Sequence, residues 1–275
     1  MTQVDSSKKE LNTVITNVKL SNENPATNTL LDEYAFYSDT TDNKYIHLLD
    51  KIDHLLEKGE ITQASKVVER IPVYAIPAQQ LKHYYNSTAL CAYLNKEEDN
   101  SLSIIQQYEL NDSIGLSRDT AAQLLKCLIL LSKDDYPKLY TTFTTFKTSF
   151  QLPIDRASTI DSLIEVGKNL KLKSAKKAAF FSAFIPGTGQ MYTGHFEEGL
   201  VNFGLNLATL GFTALCIYKG YYATGILIGY TLFQRFYTGG LRRADKLTSD
   251  YNNSLTIPLK QNLKERLIQL NLQSK

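Results

Sequence analysis

Residues 178–241 carry only four charged side chains in 64 positions, Glu197, Glu198, Lys219 and Arg235, although 21% of the whole chain of 275 residues is charged. So uneven a distribution divides the chain into two parts suited to different solvents. Residues 1–177 hold 21 basic and 23 acidic side chains, the balance of a water-soluble domain. With a net charge of +2 overall, the chain lacks the electrostatic footprint of a nucleic-acid binder. Three cysteines without a close pair, Cys91, Cys127 and Cys216, exclude a disulfide framework and a four-cysteine zinc site, and read as small buried hydrophobes.

The weakly charged block has internal order. Lys168, Lys171, Lys173, Lys176 and Lys177 precede eight apolar-leaning residues, 178–185, which end at Pro186-Gly187. Eight residues cannot cross a hydrocarbon core of ~30 Å, so this is an interfacial or re-entrant segment. Residues 199–218 then run without a formal charge and are long enough to span. Residues 221–233 form a second run, marginal unless Arg235 snorkels or faces protein. Tyr192, Tyr218, Tyr221, Tyr222 and Tyr237 gather near the ends of these runs, as interfacial aromatic belts do. A soluble buried hairpin is the alternative, because a mean hydropathy of −0.23 does not demand a membrane.

Polar residues within the runs fall in register. Asn202, Asn206, Thr209 and Thr213 make one helical stripe that can face a partner helix and hydrogen-bond away from lipid. Gly225 and Gly229 form a GxxxG element on the second run, and Gly204 with Ala208 a small-xxx-small element on the first. Close packing of the two helices is expected. Before them, Pro186, Gly187, Gly189, Gln190, Tyr192 and Gly194 shape a bend. Pro186 ends the short segment, Gly187 and Gly189 supply backbone conformations closed to other residues, and Gln190 and Tyr192 are placed to satisfy exposed backbone groups. A phosphate cradle is disfavoured: no Lys-Ser/Thr follows the Gly-x-Gly and no strand precedes it.

The residues Pro186-Gly187-Thr188-Gly189-Gln190-Met191-Tyr192-Thr193-Gly194, with Gly199 and the hairpin, resemble bacterial membrane proteins that carry a Pro-Gly-x-Gly-Gln-x-Tyr-x-Gly motif and a two-helix hairpin. Tyr237-Thr238-Gly239-Gly240, Ala244 and Tyr251-Asn252 match the segment that follows the hairpin in that group. The resemblance covers residues 180–253. It implies a membrane hairpin and, from some relatives, an exported helical-repeat domain ahead of it.

Upstream, Ser7-Lys8-Lys9-Glu10 has the capping-box pattern and introduces Leu11, Val14, Ile15 and Val18 at helical spacing. Residues 21–28 read as a linker. Tyr45, Leu48, Leu49, Ile52, Leu55 and Leu56 then define one helical face closed by Gly59, and Ile61, Ala64, Val67, Val68 and Ile71 define the next, stopped by Pro72. First helices of successive pairs are expected near Asn43, Ala78, Ser117 and Ile154, spacings of roughly 35 to 39 residues that suit stacked helical hairpins. Residues 57–64 resemble a tetratricopeptide helix turn, and an irregular bundle is the alternative. Residues 140–150 mix Thr and Phe but keep Leu139, Phe143 and Phe146 at helical spacing, so they are assigned to a helix.

The search for chemistry is negative. His47, His54, His83 and His195 lack metal-ligand spacing, no nucleophile elbow, Walker sequence or dinucleotide fingerprint occurs, and Glu97, Glu98, Asp99, Asp134 and Asp135 read as solvated turns. Thr256-Ile257-Pro258 can start a tail helix whose Leu259, Leu263, Leu267 and Leu270 dock on the helical domain or lie on a membrane. The expected order is therefore an N-terminal helix and linker (1–42), an all-α, tetratricopeptide-like helical-repeat domain (43–177), a membrane-embedded hairpin (178–241) and an amphipathic tail (242–275). No enzyme, metal, cofactor or nucleic-acid partner is expected. The expected role is a membrane-anchored scaffold or accessory subunit that contacts lipid and recruits a protein partner, such as a membrane complex, in the bacterial envelope. The alternative is lipid or small-molecule transport along the polar stripe. Lysines before the hairpin and Arg242, Arg243 and Lys246 after it place the helical domain in the cytoplasm by the positive-inside rule. It is periplasmic if a signal peptide was removed before residue 1.

Overall fold

The computed structural model describes residues 42–110 and 119–270, and among these the regular elements are all helical. The N-terminal helix expected around Leu11–Val18 lies outside the described residues. The chain divides into two compact units, 1–168 with 260–275, and 169–259.

The first unit contains α1 (Asp42–Glu57), α2 (Ile61–Val68), α3 (Leu81–Leu94), α4 (Glu98–Leu110), α5 (Thr120–Ser132), α6 (Tyr136–Ser149) and α7 (Ile154–Lys168). α2 ends at Val68, ahead of Pro72, and two 3₁₀ turns, Val73–Ala75 and Ala78–Gln80, lead into α3. One device recurs between neighbouring helices. Gly59, Lys96 and Asp134 each adopt a left-handed conformation, and each sits where two crossed backbone hydrogen bonds close the preceding helix, as Glu60 to Leu55 and Gly59 to Leu56 do for α1. Gln151 takes the same left-handed conformation between α6 and α7. These tight reversals lay consecutive helices against each other, and α3 also contacts α1 and α5.

The core follows the apolar periodicity. Leu49, Ile52 and Leu56 of α1, Ala64 and Val67 of α2, and Ile160 and Ile164 of α7 are buried. α5 is buried almost all round, from Ala121 to Leu131, as a central helix requires. Its start is capped by Asp119, whose carboxylate accepts from the Ala121 amide. In α6 the threonines do not force a strand. Thr141, Thr144, Thr145 and Thr148 donate to carbonyls three or four residues back, while Leu139, Phe143 and Phe146 are fully buried.

The last helix differs from expectation. No break occurs at Thr256-Ile257-Pro258; one helix runs Thr231–Ile268 with Pro258 inside it. An internal proline costs about 3 kcal/mol. Burial of Leu259, Leu263, Leu267 and Ile268, at about 1.5–3 kcal/mol per side chain, outweighs that cost. The helix end docks in the first unit, where the Lys260 ammonium lies 2.7 Å from Asp134 Oδ2 and donates to the Ser132 carbonyl.

The second unit holds α8 (Ala175–Phe184), α9 (Thr188–Thr193), α10 (Phe196–Tyr218), a single turn Tyr222–Thr224, a π-helical segment Gly225–Tyr230 and most of α11 (Thr231–Ile268). Residues 169–177 and 242–259, expected in the repeat domain and the tail, belong here. Asn252 provides one reason. Its amide donates to the Lys173 carbonyl at 2.8 Å and accepts from the Lys173 amide at 2.9 Å, and the Lys173 ammonium sits 3.9 Å from the Tyr251 ring centroid.

Candidate functional site

α10 is built with its polarity reversed. Asn202, Asn206 and Thr209 are buried, whereas Leu200, Val201, Phe203, Leu207, Leu210, Phe212 and Leu215 are exposed. Only 11% of its most apolar 18-residue window is buried, and it is the one helix among the described residues long and apolar enough to cross a membrane. A core helix of a soluble protein has the opposite arrangement.

The polar stripe faces glycines. A Cβ on Gly229 would enter the Thr213 side chain, one on Gly225 would stand 3.1 Å from Cys216 Cβ, and one on Gly240 would enter the Asn202 amide. Because glycines offer no side-chain partner, the stripe does not hydrogen-bond across the seam as expected. It turns back on its own helix. Asn206 Nδ2 donates to the Asn202 carbonyl (2.8 Å) and Oδ1 (3.1 Å), Thr209 to the Asn206 carbonyl, and Thr213 to the Thr209 carbonyl. Gly204 and Ala208, expected in the contact, are exposed, and a Cβ at Gly204 meets nothing. Their offset from Asn202 and Asn206 by two residues, about 200° around a helix, turns them to the opposite face.

The bend before α10 is a backbone-to-backbone contact. Gly187 is left-handed at φ 95°, and any Cβ there would collide with the Gly199 carbonyl of α10. Ile185 is extended, as a residue before proline prefers. Gly189 is helical rather than left-handed, and it is needed for space: its amide donates to Ser182 Oγ at 2.9 Å, and a Cβ would strike Ala178, Ser182 and Ala244. Gly194 is left-handed at φ 100° and closes α9. Tyr192 accepts from the Ser174 amide through its hydroxyl and packs on Phe181. Gln190 has a different role from the one expected, because its buried side-chain Oε1 has no hydrogen-bond partner.

Long-range contacts gather on α11. The Arg243 guanidinium grips Glu198 with two hydrogen bonds of 2.8 Å, a planar fork matched to a carboxylate. Tyr237 donates to the Ala183 carbonyl, and Ala244 is fully buried beside Gly189. Between α10 and α11 an open cavity of about 480 Å³ is bordered by Gln190, Glu197, Asn202, Arg235, Phe236 and the Glu198–Arg243 pair. Asn202 Nδ2, like Gln190 Oε1 and Asn206 Oδ1, is buried without a partner. Sequence reasoning singled out Gln190 and Asn202, placed Gly240 in the segment after the hairpin without assigning it to the helix contact, and counted Glu198 and Arg243 as charges without pairing them.

Several polar groups of the first unit are consumed in packing. Asp53 holds His83 at 2.8 Å and accepts from Ser87, and buried Asp119 accepts from Asn86 and Tyr108. Those two carboxylates thereby tie α3 to α1 and to the start of α5. His47, His54 and His195 are exposed, and among the described residues no group of three or more His, Cys, Asp or Glu side chains gathers as for a metal. Asp99 pairs with Lys133, and Asp135 caps α6 by accepting from the Lys138 amide. Burial pushes the Cys91 and Cys127 thiols up to about 12, and Cys216 is half-buried. Compared with family models, curated proteins and solved structures, the chain matches none.

Proposed function

We propose that the chain is a membrane-anchored scaffold or accessory subunit of the bacterial envelope, which recruits a protein partner through a tetratricopeptide-like first unit. The reversed polarity of α10 carries this reading. About nine large apolar side chains face outward where water would penalise each, while amides and hydroxyls face inward. Around it, exposed Phe180 and Phe184 of α8 stand next to Lys176 and Lys177, a pairing that suits the interface between hydrocarbon and headgroups. Twenty residues from Tyr222 onward, with Arg235 as the sole charge, reach about 30 Å as a helix and complete the hairpin.

Recruitment by the first unit is supported by the recurring helix pairs, in which α1 touches α3 and α3 touches α5. Tyr74, 92% exposed in the connection between α2 and α3, is the kind of aromatic side chain that anchors interfaces. Transport along the stripe draws less support, because Thr209 and Thr213 are bonded within their own helix and Gly225 and Gly229 close the seam. Flanking basic residues favour a cytoplasmic first unit. Carbonate washing of membranes should leave the protein in the pellet, and purification in mild detergent should recover a stoichiometric partner. A carbonate-extractable, detergent-indifferent monomer overturns the reading.

A further inference from the structure

We propose that the cavity between α10 and α11 is a binding site for a phosphoethanolamine group, the headgroup of a zwitterionic phospholipid with a primary ammonium. Four features complement that group. Arg235 and Glu197 both border the cavity and neither has an ion-pair partner among the described residues, whereas the neighbouring Arg243 and Glu198 neutralise each other in their fork. One cation and one anion are thus left for a ligand of the opposite pattern. Two further residues on the wall each carry a buried polar atom with no partner: Asn202 Nδ2, a donor, and Gln190 Oε1, an acceptor. Gln190 is 3% and Asn202 9% exposed, and a buried unmatched donor or acceptor costs roughly 1–3 kcal/mol.

A phosphate accepts from Arg235 and a primary ammonium donates to Glu197, while Asn202 Nδ2, packed against Gly240, and Gln190 Oε1, both closed to solvent behind the wall, gain partners only as the ligand parts it. Trimethylammonium has no N–H to donate, and glycerol or a bare phosphate leaves Glu197 without a cation. The chemistry therefore ranks ethanolamine above choline and above an anionic headgroup. Val201 and Phe236 form apolar wall on the same cavity, and Val201 is exposed on the outward face of α10, where acyl chains lie under the membrane reading on which this inference rests. A volume of about 480 Å³ falls within the usual range for a small-molecule site.

The test uses the full chain in nanodiscs and in delipidated micelles. Native mass spectrometry and thermal unfolding are read with dioleoyl phosphatidylethanolamine, phosphatidylcholine and phosphatidylglycerol, and with soluble phosphoethanolamine. Phosphatidylethanolamine should bind at least about tenfold more tightly than phosphatidylcholine or phosphatidylglycerol, and Arg235→Gln and Glu197→Gln should each cut its affinity about tenfold. Both substitutions replace exposed side chains and leave the helical circular dichroism unchanged. Binding of soluble phosphoethanolamine, lost in the same variants, assigns the site to a free headgroup compound; binding of the lipid alone assigns it to the bilayer, and either supports the site. Equal retention of the three lipids, or indifference to both substitutions, overturns it. A protein embedded in nanodiscs that shows no headgroup preference defeats this inference alone, whereas a protein that never enters the bilayer defeats the anchoring reading.

Discussion

The two units place the same kinds of residue on opposite sides. In α5 of the first unit, Leu124, Leu125, Leu128 and Ile129 are all but invisible to solvent; in α10 of the second, Leu200, Leu207 and Leu215 face out and Asn202 and Asn206 face in. Water drives the first arrangement, since each buried leucine side chain is worth about 1.5–3 kcal/mol. In the second, close approach of helices decides what is inside. Glycines at 225, 229 and 240 permit contact that leucines would prevent, so small and polar residues occupy the interior. Under the proposed membrane placement, a leucine has no fixed preference for the inside of a fold, because its position follows from the solvent outside.

That contrast can be broken most forcefully in the cores. Phe143→Ala removes a fully buried ring and should cost about 3–5 kcal/mol, read as a lowered denaturant midpoint for the first unit. In the second unit the damaging change is enlargement: Gly229→Leu drives a side chain into Thr213 and should abolish folded, membrane-inserted protein, as judged by protease resistance after reconstitution.

Exposed positions sharpen the comparison next. Leu210→Arg, on the outward face of α10, should cost about 2.5–3.5 kcal/mol of membrane insertion. Tyr74→Arg, at a more exposed site of the first unit, should change stability by no more than about 0.5 kcal/mol. If both prove neutral, the outward face of α10 sees water and the contrast between the units disappears.

Two smaller effects belong to the first unit. With their thiols pushed up to about 12 by burial, Cys91 and Cys127 should resist maleimide at pH 8 in the native chain and react once it is unfolded, as followed by mass spectrometry. Hydrogen bonding from Lys138 holds the Asp135 carboxyl below its ordinary 3.8. Its stabilisation is complete above that value and is lost as the pH falls through the lowered pKa. Asp135→Ala should therefore cost about 1 kcal/mol at neutral pH, with the deficit closing in acid denaturation series.

Helix positions were largely readable from local pattern. First helices were expected near Asn43, Ala78, Ser117 and Ile154, and helices begin at Asp42, Thr120 and Ile154, with a 3₁₀ turn at Ala78 before α3. Turn chemistry was readable only where glycine marked it. Gly59 was visible, whereas Lys96, Asp134 and Gln151 reach the same left-handed conformation without a glycine signal. At Pro258 the expected start of a separate tail helix gave way to one continuous helix, held by burial of the leucines beyond it. In the candidate site the stripe of Asn202, Asn206, Thr209 and Thr213 was legible as a face, but its partner was only partly so: Gly225 and Gly229 were, Gly240 was not, and Gly204 lay on the wrong side.

By itself the sequence determined the helical class, the helix faces and the segregation of charge, because a period of 3.6 residues and a local run of apolar side chains need no partner to be recognised. Only the tertiary structure decided that Glu198 meets Arg243, that Asn252 clasps Lys173, and that Gln190 and Asn202 border one cavity. Residues 45 or 79 positions apart meet where helices cross, and the crossing is set by how closely backbones can approach, a steric property of the assembled contact that no single segment contains.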